Sequence, residues 1–415
     1  MIVLFEEKKS VNCLKPFSLT RPIQDLKSGF LTVSERISFM YNSEVKLLTR
    51  SEMMFHFPET RILSFQDITR KNNIIFLNSS YFCPKENFVD TMNTVATFDG
   101  RVIFLHIDSS EINSPELLLE GLYENDLQKV KDALDTSIQE VNLKEISNFV
   151  FYPWDLVYLN TFLMKLDFEL ILKHSLDASL SKNLEDLEIE GSSEFVIVSR
   201  KASISKGVFI DVTEGPVFID AEARISPLTV ITGPAYIGKK TVVSQARIRE
   251  GSNIRNVCKV SGEIEESIID SFSNKNHEGF IGHSYIGQWV NIGAMATNSD
   301  LKNTYDEVKV FLSPNEVINT GLLKVGCFIG DFSKIGIGVL INTGTVIGVG
   351  ANVFFEGELV RKYVPNFAWG GKEPYRKFPL PRLMSMIKTM FSRRGKEVNE
   401  SIEFILANLY NQVQS

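Results

Sequence analysis

The sequence predicts an α/β domain, then a left-handed parallel β-helix of hexapeptide repeats, then a C-terminal helical tail. Three features predict this order: strand-like and helix-like runs alternate in the first half, aliphatic residues recur every six positions in the second, and a Pro-rich stretch precedes a last helical segment. The expected divisions are residues 1–190, 191–372 and 373–415.

In the first part, Ile2 to Phe5, Ile74 to Leu77 and Val102 to Leu105 are short β-rich runs, and Val196 to Val198 adds another just beyond. Pro115 to Ala133 and Leu156 to Leu180 read as helices, the second with Leu159, Phe162, Leu163 and Leu166 at helical spacing. Strands that alternate with helices suggest a three-layer α/β domain.

The repeat sets in fully at Ile219. Ile219, Ile225, Ile231, Ile237 and Val243 stand six apart; after a one-residue slip Ile248, Ile254 and Val260 keep the step, and it returns at Ile329, Ile335, Ile341, Ile347 and Val353. Neither a helix nor a flat strand has that period. A solenoid does, with one short strand and one turn per hexad, three hexads per coil, and each aliphatic residue directed into a narrow interior. Glycine often follows the aliphatic residue, as in Ile237-Gly238, Ile286-Gly287, Ile329-Gly330 and Ile347-Gly348, and spares the corner a Cβ clash. Residues 261–280 leave the rhythm, and 299–323 form a polar insertion of the kind that carries binding residues at a solenoid corner. The helical segment from Leu383 to Leu409, split near Arg393-Arg394-Gly395, is expected to cap the solenoid or meet a neighbouring subunit.

Composition narrows the functional classes. The chain has 415 residues and a net charge of -7, with acids and bases interspersed, so no basic stripe points to nucleic acid. Cys13, Cys83, Cys258 and Cys327 are scattered, which indicates neither a disulfide framework nor a zinc site, and no metal ligand set is expected. Free thiols, a start unlike a signal peptide and no apolar run of membrane length lead to the expectation of a cytoplasmic protein.

His277 is the one histidine of the five that lies inside the break in the hexads, in the polar stretch Ser273-Asn274-Lys275-Asn276-His277-Glu278-Gly279. Acyl transfer from a thioester to an amine needs a base that works near neutral pH, and imidazole suits that task. A hydrogen-bonded structural histidine is the plainer alternative; the segment Asn291-Ile292-Gly293-Ala294 that follows weighs against it.

From Gly233 to Gly350 the chain resembles the acetyltransferase half of the bacterial bifunctional enzymes that acetylate glucosamine-1-phosphate and uridylylate N-acetylglucosamine-1-phosphate. The stretches that carry the resemblance are GPAYIGKKTVVSQARIREGSNI and KNHEGFIGHSYIGQWVNIGA. With LKPFSLTRPIQDLKSGFLTVSER, YPWDLVYLN and VPNFAWGG the whole chain looks like a variant branch of that family. The resemblance implies an acetyl-CoA-dependent N-acetyltransferase of an aminosugar phosphate or nucleotide sugar, serving UDP-N-acetylglucosamine or cell-envelope precursor synthesis, and a homotrimer. It implies His277 as catalytic base, Asn291 in the strand that positions the site, and Ala294 as backbone donor to the thioester oxyanion. It further implies Arg247 as a phosphate ligand, with an ion pair on the solenoid wall as the alternative. Asn303, Tyr305 and Lys309 resemble the family's sugar-binding loop. Coenzyme A would run near Ala294, Gly336 and Val349, in a groove between subunits. Phe280 stands for a phosphate-binding tyrosine and Glu265 for a phosphate-binding lysine, departures that Lys275 and Lys302 would offset.

The N-terminal part departs further. Where the family carries a Gly-rich phosphate loop this chain reads Phe5-Glu6-Glu7-Lys8-Lys9-Ser10, and Asn78-Ser79-Ser80 stands where a Mg²⁺-binding Asp is expected. Lys15, Arg21 and Lys27 are the candidate phosphate ligands that remain, and Mg²⁺ is implied only for an active domain. Two rival readings follow: sugar-1-phosphate nucleotidyl transfer by the first domain, or a scaffold that binds nucleotide sugar or coenzyme A without turnover.

Overall fold

A computed structural model describes residues 1–70, 73–83, 91–174, 184–185 and 187–413. Its contacts divide into two compact units, Met1–Leu26 with Leu31–Asp155, and Lys27–Phe30 with Leu156–Ser415.

The first unit holds a six-stranded mixed sheet of β1 (Ile2–Phe5), β2 (Val45–Leu48), β3 (Asn73–Asn78), β4 (Thr94–Phe98), β5 (Arg101–Asp108) and β6 (Gln139–Asn142), in the order β2-β1-β3-β5-β4-β6. β1 runs parallel to β2 and β3, whereas β5 is antiparallel to both β3 and β4. β1 is buried along its whole length, as its unbroken Ile-Val-Leu-Phe sequence demands. The expected helix from 115 to 133 is two helices, α1 (Pro115–Glu124) and α2 (Leu127–Asp132). Asn125 takes a left-handed conformation and the Asp126 carboxylate caps the N–H groups of Gln128 and Lys129, so one helix stops and another starts.

The second unit is a β-solenoid of about ten turns, consistent with a left-handed β-helix. α3 (Pro153–His174) precedes it; the last residues of the expected 156–180 helix lie outside the described residues. Each coil lays one short strand on each of three faces, in parallel register with the coils before and after it. The first face stacks Ile219, Ile237, Ile254, Ile269, Ile286 and Ile329; the second stacks Ile225, Val243 and Val260 and resumes at Ile292; the third stacks Ile231, Ile248, Ile264 and Ile281. All these side chains are buried and form one continuous core.

The coils do not break at 261–280. The interior positions run Val260, Ile264, Ile269, Lys275, Ile281, with two shortened steps and then a lysine. The pattern fades there because a polar residue holds an interior place, and Asn298 does the same one coil later, beside Ile341. The insertion after Asn298 contains an antiparallel hairpin, Lys309–Ser313 with Glu316–Asn319.

Two helices form the tail, α4 (Leu380–Ser392) and α5 (Glu400–Gln412). Leu383, Ile387 and Phe391, one helical turn apart, are the buried residues of α4. They meet the corner between the first and second faces, where Phe272, Trp289, Phe332 and Phe367 have φ of 66°, 60°, 65° and 59°. Earlier coils carry Glu222 and Lys240 at the same corner position. A left-handed conformation costs a side-chain-bearing residue roughly 1–2 kcal/mol, which aromatic packing offsets here. Trp289 is stacked on both sides, with ring centroids 4.4 Å from Phe272 and 4.2 Å from Phe391.

Since the interior is a single apolar column, Ile286→Ala should lower unfolding free energy by about 2–5 kcal/mol in urea titrations. Ile337→Ala, at a corner where the side chain is 74% exposed, should change it by under about 0.5 kcal/mol.

Candidate active site

The corner between the second and third faces brings three of the expected site residues into line. Residues 276–279, 293–296 and 336–339 turn this corner in consecutive coils. The Met295 N–H donates to the Glu278 carbonyl at 2.9 Å, and the Gly338 N–H donates to the Ala294 carbonyl at 2.9 Å. A Cβ on Gly293 would stand 2.7 Å from the Gly336 carbonyl carbon, so this stacking requires glycine. His277, Ala294 and Ile337 therefore follow one another at coil spacing, about 4.8 Å per step, with Gly336 one residue before Ile337 and stacked on Gly293. His277 is exposed, and the Ala294 N–H donates to no acceptor among the described residues. Asn291 sits on the adjoining second face, exposed and paired in register with Asn274 and Lys334. Val349 lies at the opposite corner, between the first and second faces, and is wholly buried, so it offers a cofactor no surface.

Lys275 is a correction to the expected ligand set. Its side chain points into the prism and is fully buried, between Val260 and Ile292 in the second-face column. The ammonium donates to the Ser261 carbonyl at 3.4 Å and to the carbonyl of His277. Gly262 and Gly279 make room: a Cβ on either would stand 3.1 Å or 3.3 Å from Nζ. Burial pulls the Lys275 pKa down to about 8, with Glu278 opposing. Lys275 thus props the His277 corner from inside instead of meeting a ligand.

Arg247 projects from the third face and pairs with Glu263 at 2.9 Å, while two-thirds of its side chain stays exposed. Glu265, the departure that would repel a phosphate, is neutralised by Arg249 at 2.9 Å and Lys324 at 3.4 Å, neither of which the sequence singled out. Phe280 is half-buried on the same face, in register with Glu263. Asn303, Tyr305 and Lys309 stay in the insertion, all exposed, and Lys309 opens the hairpin.

The sequence also gave no notice of a pair at the corner between the third and first faces. His283 Nδ1 lies 2.8 Å from an Asp300 carboxylate oxygen, with the Tyr158 ring 6.4 Å away between centroids. Burial pushes the Asp300 carboxyl up, but the hydrogen bond and charge of His283 outweigh it and leave its pKa lowered. Ligand-type atoms of Glu265, His283 and Asp300 fall within 4.8 Å of one another. With Arg249 and Lys324 already on Glu265, the arrangement is an ion-pair network.

In the first unit, the carboxyl ends of β1 and β2 border a cavity of about 260 Å³ lined by Glu6, Thr49, Arg50, Glu52, Leu119 and Tyr123. The Glu6 carboxylate accepts the Ile23 N–H at 2.9 Å, the Arg50 N–H at 3.1 Å, the Thr49 hydroxyl and the Arg50 guanidinium at 3.4 Å. Donors that would otherwise face an anion at these strand ends are thus taken by the chain's own carboxylate. Glu7 pairs with Arg101 at 2.7 Å. Asn78 spends its amide on the Val102 carbonyl at 3.1 Å and the Ser80 N–H at 3.0 Å, so this place does not fit a Mg²⁺ carboxylate. Of the expected phosphate ligands, Lys15 is half-buried, Arg21 is 1% exposed, and Lys27, 9% exposed, belongs to the second unit.

Residues 2–175 match a family model described as sugar nucleotidyl transferase. The uncharacterized acetyltransferase YaiX of Escherichia coli K12 is 31% identical over 171 residues, 40% of this chain and 74% of that one. A bifunctional sugar-1-phosphate nucleotidylyltransferase/acetyltransferase of Sulfurisphaera tokodaii is 26% identical over 376 residues, 84% of this chain and 81% of that one. Among solved structures, AntD, an N-acyltransferase from Bacillus cereus in complex with dTDP and 3-hydroxybutyryl-CoA, is 16% identical over 52% of this chain and 98% of that one, with a TM-score of 0.19. A sugar nucleotidyltransferase-type domain joined to a hexapeptide-type solenoid defines a transferase of sugar-nucleotide acyl or nucleotidyl transfer. The chain belongs to the GlmU-like family of such enzymes, which also includes bifunctional proteins named GlmU. No helix among the described residues is long and apolar enough to cross a membrane.

The interior amine gives a pH test. The folded-state pKa of Lys275, about 8, lies below its ordinary value of 10.5, so the unfolded chain holds more protons between those limits and stability rises with pH there. Relative to Lys275→Met, the wild type should gain stability between pH 8 and 10, measured as the urea midpoint of each at both ends of that window.

Proposed function

We propose that this chain is an acetyl-CoA-dependent N-acetyltransferase whose acceptor is an aminosugar phosphate or nucleotide sugar of the glucosamine-1-phosphate type. His277 takes a proton from the acceptor amine, the amine nitrogen attacks the thioester carbonyl carbon, and the Ala294 N–H holds the developing oxyanion. Collapse forms the amide, expels coenzyme A as thiolate, and returns the proton to it from His277. The single observation that carries this reading is the unspent Ala294 N–H one coil step from an exposed imidazole. An oxyanion donor must be free and fixed in place, and the stacked corner provides both. Gly336, on the next coil, extends the same edge along which coenzyme A would lie in a homotrimer.

In this reading residues 1–190 are a nucleotidyltransferase-like domain, 191–372 the acyltransferase domain and 373–415 the tail. The relatives support nucleotidyl transfer in the first domain as well; the Glu6 arrangement opposes a triphosphate at the ends of β1 and β2.

A second assignment of the base has one specific observation in its favour. The Asp300 carboxylate orients His283 as a general base is usually oriented, whereas the His277 ring has no hydrogen-bond partner among the described residues. Thiol release from acetyl-CoA with glucosamine-1-phosphate decides between them. His277→Ala should lower kcat by roughly 10²–10⁴-fold, with His283→Ala well short of that. The reverse order would move the base to His283, and no release with any aminosugar phosphate would remove the reading altogether.

A further inference from the structure

On the second face, beside the corner that α4 covers, lies a cavity of about 570 Å³. It is separate from the corner of His277 and Ala294, neither of which lines it. Its floor is a row of outward residues from consecutive coils, Lys259, Asn274, Asn291 and Lys334, and its far wall comes from the end of α4, with Arg393 and Arg394 beyond. Three coil steps of about 4.8 Å place the two lysine positions roughly 14 Å apart, so the cavity is elongated along the solenoid axis.

Its charge is one-sided. Lys259, Lys334, Arg393 and Arg394 line it and no carboxylate does. None of the four forms an ion pair among the described residues, although acids outnumber bases in the chain, 51 to 44. Arg394 donates to the Asn274 side-chain oxygen at 3.1 Å, and the Lys334 ammonium donates only to the Trp289 carbonyl, at 2.6 Å. Burial drives the Lys334 pKa down to about 7, a cost that a bound anion would reverse. Cations gathered in a recess without counter-charges attract an anion more strongly than the same cations on open surface. Met386, Met390 and the edges of Phe272 and Trp289 add an apolar side.

We infer that this cavity binds a phosphorylated small molecule, with the phosphate or diphosphate held by Lys334, Arg393 and Arg394 and the uncharged body laid along Asn274 and Asn291 toward α4. The chemistry is that of a phosphate ester about as long as a nucleotide. Two sources share it, the phosphates of coenzyme A and those of a nucleotide sugar.

Isothermal titration calorimetry of the full-length protein with inorganic pyrophosphate, without metal, tests the site directly. Binding should appear in the wild type and weaken by at least about tenfold in Lys334→Met and in Arg393→Gln, since a charge-assisted contact contributes about 1.5–3 kcal/mol. Arg393 is exposed, so its replacement leaves packing intact and guards against a folding artefact in the buried lysine variant. Arg224→Gln, an exposed cation on the same face outside the cavity, should bind as the wild type does. Displacement of pyrophosphate by coenzyme A assigns the site to the cofactor, displacement by a UDP-sugar assigns it to a nucleotide sugar, and displacement by neither leaves a smaller phosphate ester. Absence of pyrophosphate binding, or binding that persists undiminished in both variants, overturns the inference. The readout needs no turnover, so it stands or falls independently of the roles of His277 and Ala294.

Discussion

The interior of the prism admits one side chain from each face in each coil, and everything else in the second unit follows from that restriction. An aliphatic residue inside sets the coil closed, and closure puts the neighbouring residues at corners whose backbones stack at strand spacing. A corner of aligned residues is then made by succession: what one coil places, the next places again a few ångströms along. His277, Ala294 and Gly336 share an edge for this reason, although 17 to 59 positions separate them from one another in the chain.

That same restriction decides what the sequence could disclose. Wherever interior residues were Ile or Val, the six-residue step was plain, and the solenoid, the tail helices and three strands of the first sheet, β1, β3 and β5, were legible, whereas β2, β4 and β6 were not. It failed at 261–280 because Lys275 occupies an interior place and because the steps from Val260 to Ile264 and Ile269 are shortened. A lysine in a polar stretch reads as surface, and it is the stacking against Val260 and Ile292 that turns it inward. The Glu265 network was hidden for another reason: Arg249 and Lys324 come from a different coil and from the end of the insertion, and no spacing rule joins them. Likewise His283 and Asp300 are 17 residues apart, one coil, a separation that carries no signal until the coil length is known.

The two units treat anions in opposite ways. In the first, the donors at the ends of β1 and β2 are satisfied by Glu6, a residue that stands where the family's glycines would leave room for phosphate. In the second, the cations that line the recess beside α4 have no carboxylate partner among the described residues. A buried carboxylate fully provided with donors is stable and inert, whereas a recess of unpaired cations is costly unless something anionic visits it.

Lys275 and Asn298 interrupt the apolar column in adjacent coils, next to the corner that holds the candidate base. In a linear stack each coil is stabilised only by its two neighbours, so a polar layer divides the column into two cooperative blocks. Amide hydrogen exchange would accordingly find its least protected interior strands at the middle of the solenoid instead of at its ends. That divided layer adjoins the corner proposed to carry the base, while the coils on either side hold it in register.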